Sequence, residues 1–111
     1  MFKIIDLKTG ELLFNVAEND FPTLMTLDAG IKACQKLGDG WTLPSKEQMI
    51  AIHDQLYKLG QGNFDEKSKY WSVAKNESGL VQYFTFELGQ HYASFNGSRG
   101  KFKVRAIQMP N

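Results

Sequence analysis

Few residues in this chain can do acid–base, redox or metal chemistry: His53, His91, a single cysteine at Cys34, and carboxylates scattered through both halves. A protein zinc site draws three or four ligands from Cys, His and carboxylates, commonly at short spacing. His53 falls on the apolar stripe of a predicted helix with Asp54 pointing off it, and His91 falls at a hairpin corner. Neither has a second ligand at metal spacing, so no metal site is expected. A lone Cys34 makes neither an intrachain disulfide nor a redox dithiol, and a reducing compartment is its simpler setting. The serines lack the flanking glycines of a nucleophile elbow. Glu11 and Glu47 have no evident carboxylate partner, and Asp65-Glu66 reads as a solvated loop. Asn96-Gly97-Ser98-Arg99-Gly100 has the glycines and the cation of an anion-holding loop. A strand rather than a helix is expected from Lys101, however, so this stretch reads as a turn. The expectation is a protein with no catalytic set and no cofactor.

What remains is recognition chemistry. Tyr83, Tyr92, Ser94, Asn96 and Arg99 are residue types of adaptable binding surfaces. Strands must bring them together. Residues 80–88 and 91–96 read as two strands joined by a two-residue Gly89-Gln90 loop, which suits a tight hairpin. That loop pairs Leu88 with His91, Phe86 with Ala93 and Phe84 with Phe95. One face then carries Phe84, Phe86, Leu88 and Phe95. The other carries Tyr83, Thr85, Glu87, Tyr92, Ser94 and Asn96, as in a half-buried antiparallel sheet. The polar-aromatic face is the candidate binding surface. A plain solvated face, or one covered by the N-terminal hairpin, is the alternative.

The remaining elements follow from pattern. Residues 2–7 and 11–17 read as a hairpin turning at Lys8-Thr9-Gly10. A helix is predicted over residues 27–37, with Thr26 as N-cap, Asp28 in its first turn and Leu27, Ile31, Cys34 and Leu37 at helical spacing; Gly38 and Gly40 end it. A second helix starts from a Ser45/Gln48 capping box, presents Met49, Ile52, His53, Leu56 and Tyr57, and stops at Gly60. Residues 61–69 read as loop. Residues 70–74 and 101–108 read as further strands. The fold class is α+β: two helices on a twisted, mostly antiparallel sheet, in one domain spanning residues 1–111.

Composition narrows the partners. With 111 residues one core suffices. A formal net charge of +1 creates no strong field for nucleic acid or an anionic membrane, so neither is expected as a partner. No apolar run approaches the roughly 20 residues that span a bilayer. Met1-Phe2-Lys3-Ile4-Ile5-Asp6 is charged too early for a signal peptide, which favours the cytoplasm or a phage particle.

One ordered set of motifs goes further. A helix with a cysteine near its end leads into Gly40-Trp41-Thr42-Leu43-Pro44-Ser45, followed by a second helix with Glu47. A Tyr70-Trp71-Ser72 strand and a closing Val104-Arg105-Ala106-Ile107 come later. Over roughly residues 26–108 this resembles the bacterial and phage Lcl C-terminal-like domain family, whose relatives include the sulfatase-modifying-factor fold. The resemblance implies a C-type-lectin-like architecture with neighbouring termini. It also implies ligand contact through strands and loops of the C-terminal half. Two positions depart from the family: Thr42 stands where Arg is usual, and Ala106 stands where a cysteine able to pair with the helix cysteine is often found. The first 25 residues match no family motif. The Glu-Pro-Asn or Gln-Pro-Asp and Trp-Asn-Asp tripeptides of calcium-dependent lectins are absent, and one helical cysteine cannot supply the redox pair of formylglycine-generating chemistry. The expected function is a calcium-independent, non-catalytic module binding a protein or small ligand. A self-assembling structural subunit of a phage or cell surface is the alternative, and an enzyme with an unrecognised site is a weaker one.

Overall fold

The N-terminal hairpin forms because Asp6 organises its turn. Its Oδ1 accepts from the backbone N–H groups of Lys8 at 2.8 Å and Thr9 at 3.0 Å, and Gly10 takes the positive φ of 78° that closes it. In this computed structural model, which describes residues 1–110, the hairpin comprises β1 (Phe2–Ile5) and β2 (Leu12–Val16). Helix α1 (Leu27–Lys36) is capped by the Thr26 side chain accepting from Ala29 N–H at 3.2 Å. A short strand, β3 (Trp41–Thr42), follows. Helix α2 (Lys46–Gln55) opens on the expected capping box: Ser45 Oγ accepts from Gln48 N–H at 3.2 Å, and Gln48 Oε1 accepts from Ser45 N–H at 2.8 Å. The helix tightens into a 3₁₀ turn over Tyr57–Leu59, ended by Gly60 in the left-handed region at φ 71°. Strands β4 (Tyr70–Lys75), β5 (Val81–Thr85), β6 (Gln90–Ala93) and β7 (Ile107–Gln108) complete the chain, with a 3₁₀ turn at Gly97–Arg99.

The strands form two antiparallel sheets, ordered β1-β2-β7-β3 and β4-β5-β6. The α+β class and the two helices are as expected. The single long strand expected over residues 101–108 is instead an extended segment that changes partners. Phe102 exchanges backbone hydrogen bonds with Met25, Lys103 N–H donates to Lys69 O and its O accepts from Trp71 N–H, Val104 O accepts from Phe21 N–H and Ala106 O from Ala17 N–H. Only its end joins a sheet as β7. The segment thus stitches the two sheets together, which a period-two pattern cannot reveal. β2 lies between β1 and β7, so the first and last strands are separated by about 10 Å, two strand spacings.

Two core clusters result. One gathers Ile4, Phe14, Val16, Met49, Ile52, Phe84, Phe86 and Ile107 between the hairpin, α2 and the second sheet. The other gathers Cys34, Leu43, Trp71, Val104 and Ala106 beneath α1. Leu37, expected on the inward stripe of α1, is instead exposed, because the helix ends one residue before it. Gly30 sits there instead: a Cβ at that position would lie 2.9 Å from Val104 Cγ2, so the missing side chain lets the helix close on the segment below.

The register of β5 and β6 differs from the expected one. Phe84 pairs with His91, Tyr83 with Tyr92 and Gln82 with Ala93, and the chain turns through residues 86–89. The cause is Phe86. Its ring stacks on Phe64 at 4.1 Å and meets Tyr70 edge-on at 5.0 Å, both centroid distances, so it is buried in the turn rather than spent in the strand. Gly89, at φ 66°, then closes the turn against His53; a Cβ there would fall 2.8 Å from that ring. The shift is four residues, an even number, so the faces keep their character. Phe84 remains in the core, and Tyr83 and Tyr92 remain together on the other side. Leu88 and Phe95, expected on the apolar face, are instead exposed, Phe95 completely so.

Candidate functional site

The β5–β6 register sets Tyr83 opposite Tyr92, with ring centroids 5.9 Å apart and both residues half-buried. The Phe102 ring meets Tyr83 at 5.3 Å and rests on the buried Trp71 at 4.5 Å, whose Nε1 donates to Met25 O at 2.8 Å. Lys69 Nζ stands 4.8 Å over the Tyr83 ring and 5.5 Å from that of Phe102, a cation–π geometry that holds the ammonium in place. An open groove of about 340 Å³ runs beside it, lined by Leu24, Lys67, Ser68, Lys69, Lys101 and Phe102. The N-terminal hairpin does not cover this surface: Ile4, Phe14 and Val16 pack on the opposite side of the second sheet, with Phe84.

The five candidate residues divide. Tyr83 and Tyr92 are adjacent. Ser94 is buried, and its Oγ donates to Gly97 O at 2.8 Å, so its hydroxyl shapes the turn and is not presented to a ligand. The reason is that β6 ends at Ala93 and the chain folds inward at Ser94, whose N–H still donates to Val81 O at 3.0 Å. Asn96 and Arg99 are exposed on the adjoining 3₁₀ turn. Lys69, Phe102, Lys67 and Lys101 were not singled out in the sequence. A faint signal exists in the two Lys-x-Lys runs, 67–69 and 101–103, but their convergence depends on the parallel bridge between Tyr70 and Lys103.

A second polar centre is structural. Arg105 is fully buried; its Nε donates to Asp20 Oδ1 at 2.9 Å, and its remaining nitrogens donate to the carbonyls of Ala17, Gly62 and Asn63. Its guanidinium also lies 4.3 Å over the Phe64 ring. Tyr70 Oη donates to Asp20 Oδ2 at 2.8 Å, and burial pushes that phenol well above its ordinary range. Lys103 Nζ adds ion pairs to Asp20 at 3.6 Å and Asp65 at 3.7 Å.

Two further groups bear on catalysis. Ser72 Oγ lies 2.8 Å from His91 Nε2, but Ser72 has no exposed surface with which to meet a substrate. Burial, helped by the Lys46 charge and opposed by Glu47, brings His91 down to about 4, so the ring is neutral at neutral pH. Cys34 is buried, and burial raises its thiol to about 11, leaving little thiolate at neutral pH. Among the described residues, no three His, Cys, Asp or Glu side chains cluster to hold a metal ion, and no helix is long and apolar enough to cross a membrane.

No protein-family model matches the chain, and no curated protein matches it.

Proposed function

We propose that this chain is a C-type-lectin-like, calcium-independent binding module that meets its partner through the Tyr83–Tyr92 face and the turn carrying Asn96 and Arg99. The observation that carries this reading is the half-exposed Tyr83–Tyr92 pair on a part of the second sheet that the N-terminal hairpin leaves open, continuous through Lys69 and Phe102 with an open groove. Aromatic rings held by packing lose little freedom on binding, and tyrosines are frequent energetic centres of interfaces. The C-type-lectin-like assignment is supported by the order of the Trp41 and Trp71 motifs. It is also supported by Cys34 and Ala106 sharing one core cluster, the position of Ala106 being one where members of the family it resembles often carry a cysteine able to pair with the helix cysteine.

The reading is tested with a panel of labelled probes: an acidic peptide, a neutral peptide, a single-stranded oligonucleotide and a neutral oligosaccharide. Each is titrated by fluorescence anisotropy against the native protein and a Tyr83→Ala/Tyr92→Ala variant. At least one probe class should bind, and the variant should weaken it by about fivefold or more. Binding by no probe, or binding indifferent to both tyrosines, contradicts the reading.

A second reading, self-assembly, is favoured by β6. It is an edge strand without a charged residue, and the exposed Leu88 and Phe95 flank it. Sedimentation at high concentration tests it; a strict monomer contradicts it.

A further inference from the structure

The groove beside Tyr83 is built from two chain segments that sequence separates. The backbone of 69–71 pairs in parallel with Lys103, with Lys103 N–H donating to Lys69 O at 2.9 Å and Trp71 N–H to Lys103 O at 3.0 Å. Lys67-Ser68-Lys69 therefore lies alongside Lys101-Phe102-Lys103. The four lysines have different fates. Lys103 is largely covered and neutralised by Asp20 and Asp65. Lys67, Lys69 and Lys101 are exposed, line the groove, and have no carboxylate within 4 Å among the described residues. The nearby carboxylate, Asp65, is occupied by Ser68 Oγ at 2.7 Å, Lys67 N–H at 3.1 Å and Lys103. Local positive charge is thus gathered at one place on a chain whose net charge is only +1.

We propose that this groove binds an acidic segment of a protein partner, an extended peptide whose carboxylates meet Lys67, Lys69 and Lys101 while an apolar side chain rests on Leu24 and Phe102. The proposal rests on the reading of the adjoining face as a binding surface and gives its ligand class. Charge complementarity sets the sign of the partner. The apolar side follows from Leu24, more than half exposed, and the half-buried Phe102 between the cations. A nucleic acid fits less well. Base stacking needs open ring faces, and here the Tyr83 ring lies under Lys69 while Phe102 is packed on Trp71 and Tyr83. The same covering disfavours sugar stacking.

The test uses the full chain and a short labelled peptide with Asp and Glu around a central Phe-Leu, beside its Asn/Gln counterpart. The acidic peptide should bind and the neutral one should not. Raising salt from about 50 mM to about 300 mM should weaken the complex severalfold. A Lys67→Ser/Lys69→Ser/Lys101→Ser variant, with a melting temperature lowered by no more than a few degrees because only the Lys69 cation–π contact is lost, should lose about tenfold or more in affinity. Equal binding of acidic and neutral peptides, or full affinity in the triple variant, overturns the proposal. If the oligonucleotide or oligosaccharide binds in a Tyr83- and Tyr92-dependent way while the acidic peptide does not, the peptide proposal falls and the reading of the face stands. If no probe binds, both fall.

Discussion

Arg105 and Asp20, 85 residues apart in sequence, form a pair in which the guanidinium is 1% exposed and the carboxylate 13%. The pair ties the segment after the N-terminal hairpin to the extended segment that leads into β7, and the Gly62 and Asn63 carbonyls tie the loop after α2 to the same guanidinium. Breaking a buried pair from one side leaves an uncompensated charge. Asp20→Ala is therefore expected to destabilise the protein by about 3–5 kcal/mol, seen as a lower urea midpoint. Arg105→Lys should also be poorly tolerated, since one ammonium cannot reproduce the planar fork. A loss below about 1 kcal/mol for Asp20→Ala would contradict this role.

Gly30 makes a second specific prediction. Alanine there gains up to about 1 kcal/mol of helix propensity but overpacks against Val104, at a cost of about 1–3 kcal/mol. Gly30→Ala should be net destabilising in the native background and stabilising, or neutral, in a Val104→Ala background. Equal effects in both backgrounds would show that the Gly30–Val104 approach is not what requires glycine.

His91 sets an acid limb of stability. Burial, with Lys46, holds the folded ring at about 4 against an ordinary 6.5. The unfolded chain therefore binds the proton first as pH falls, and stability present above about 6.5 is lost between there and about 4, by up to about 3 kcal/mol. Melting curves at stepped pH values, compared with His91→Asn, test this. The native protein should lose stability more steeply across that window; parallel slopes would contradict it.

Cys34 should behave as an inert core residue. With its thiol raised to about 11 and no exposed surface, it should react with a thiol reagent only at the rate of opening, and rapidly in denaturant. Fast labelling of the folded protein would contradict the burial of Cys34 on the inner face of α1.

Local chemistry was legible where one short segment decides the outcome. The Ser45/Gln48 capping box, the Thr26 cap, the Gly60 stop and the first hairpin all follow from adjacent residues. The β5–β6 register was not, because the two-residue turn competes with the burial of Phe86 against Phe64 and Tyr70, which lie far away in sequence. The site was legible in part for the same reason. Tyr83 and Tyr92 stay on one face because the slip is even, whereas Ser94 turns inward where β6 ends. Lys67, Lys69 and Lys101 meet only through a parallel pairing that no local pattern encodes.

The most direct measurement is the map of backbone amide shifts on titrating the isotopically labelled protein with the acidic peptide at low salt. Perturbations are expected to be confined to residues 24, 67–71, 83, 92, 96–99 and 101–103, with the β1–β2 hairpin and α2 unmoved. Shifts centred on α2 or the hairpin, or none at saturating peptide, would contradict it.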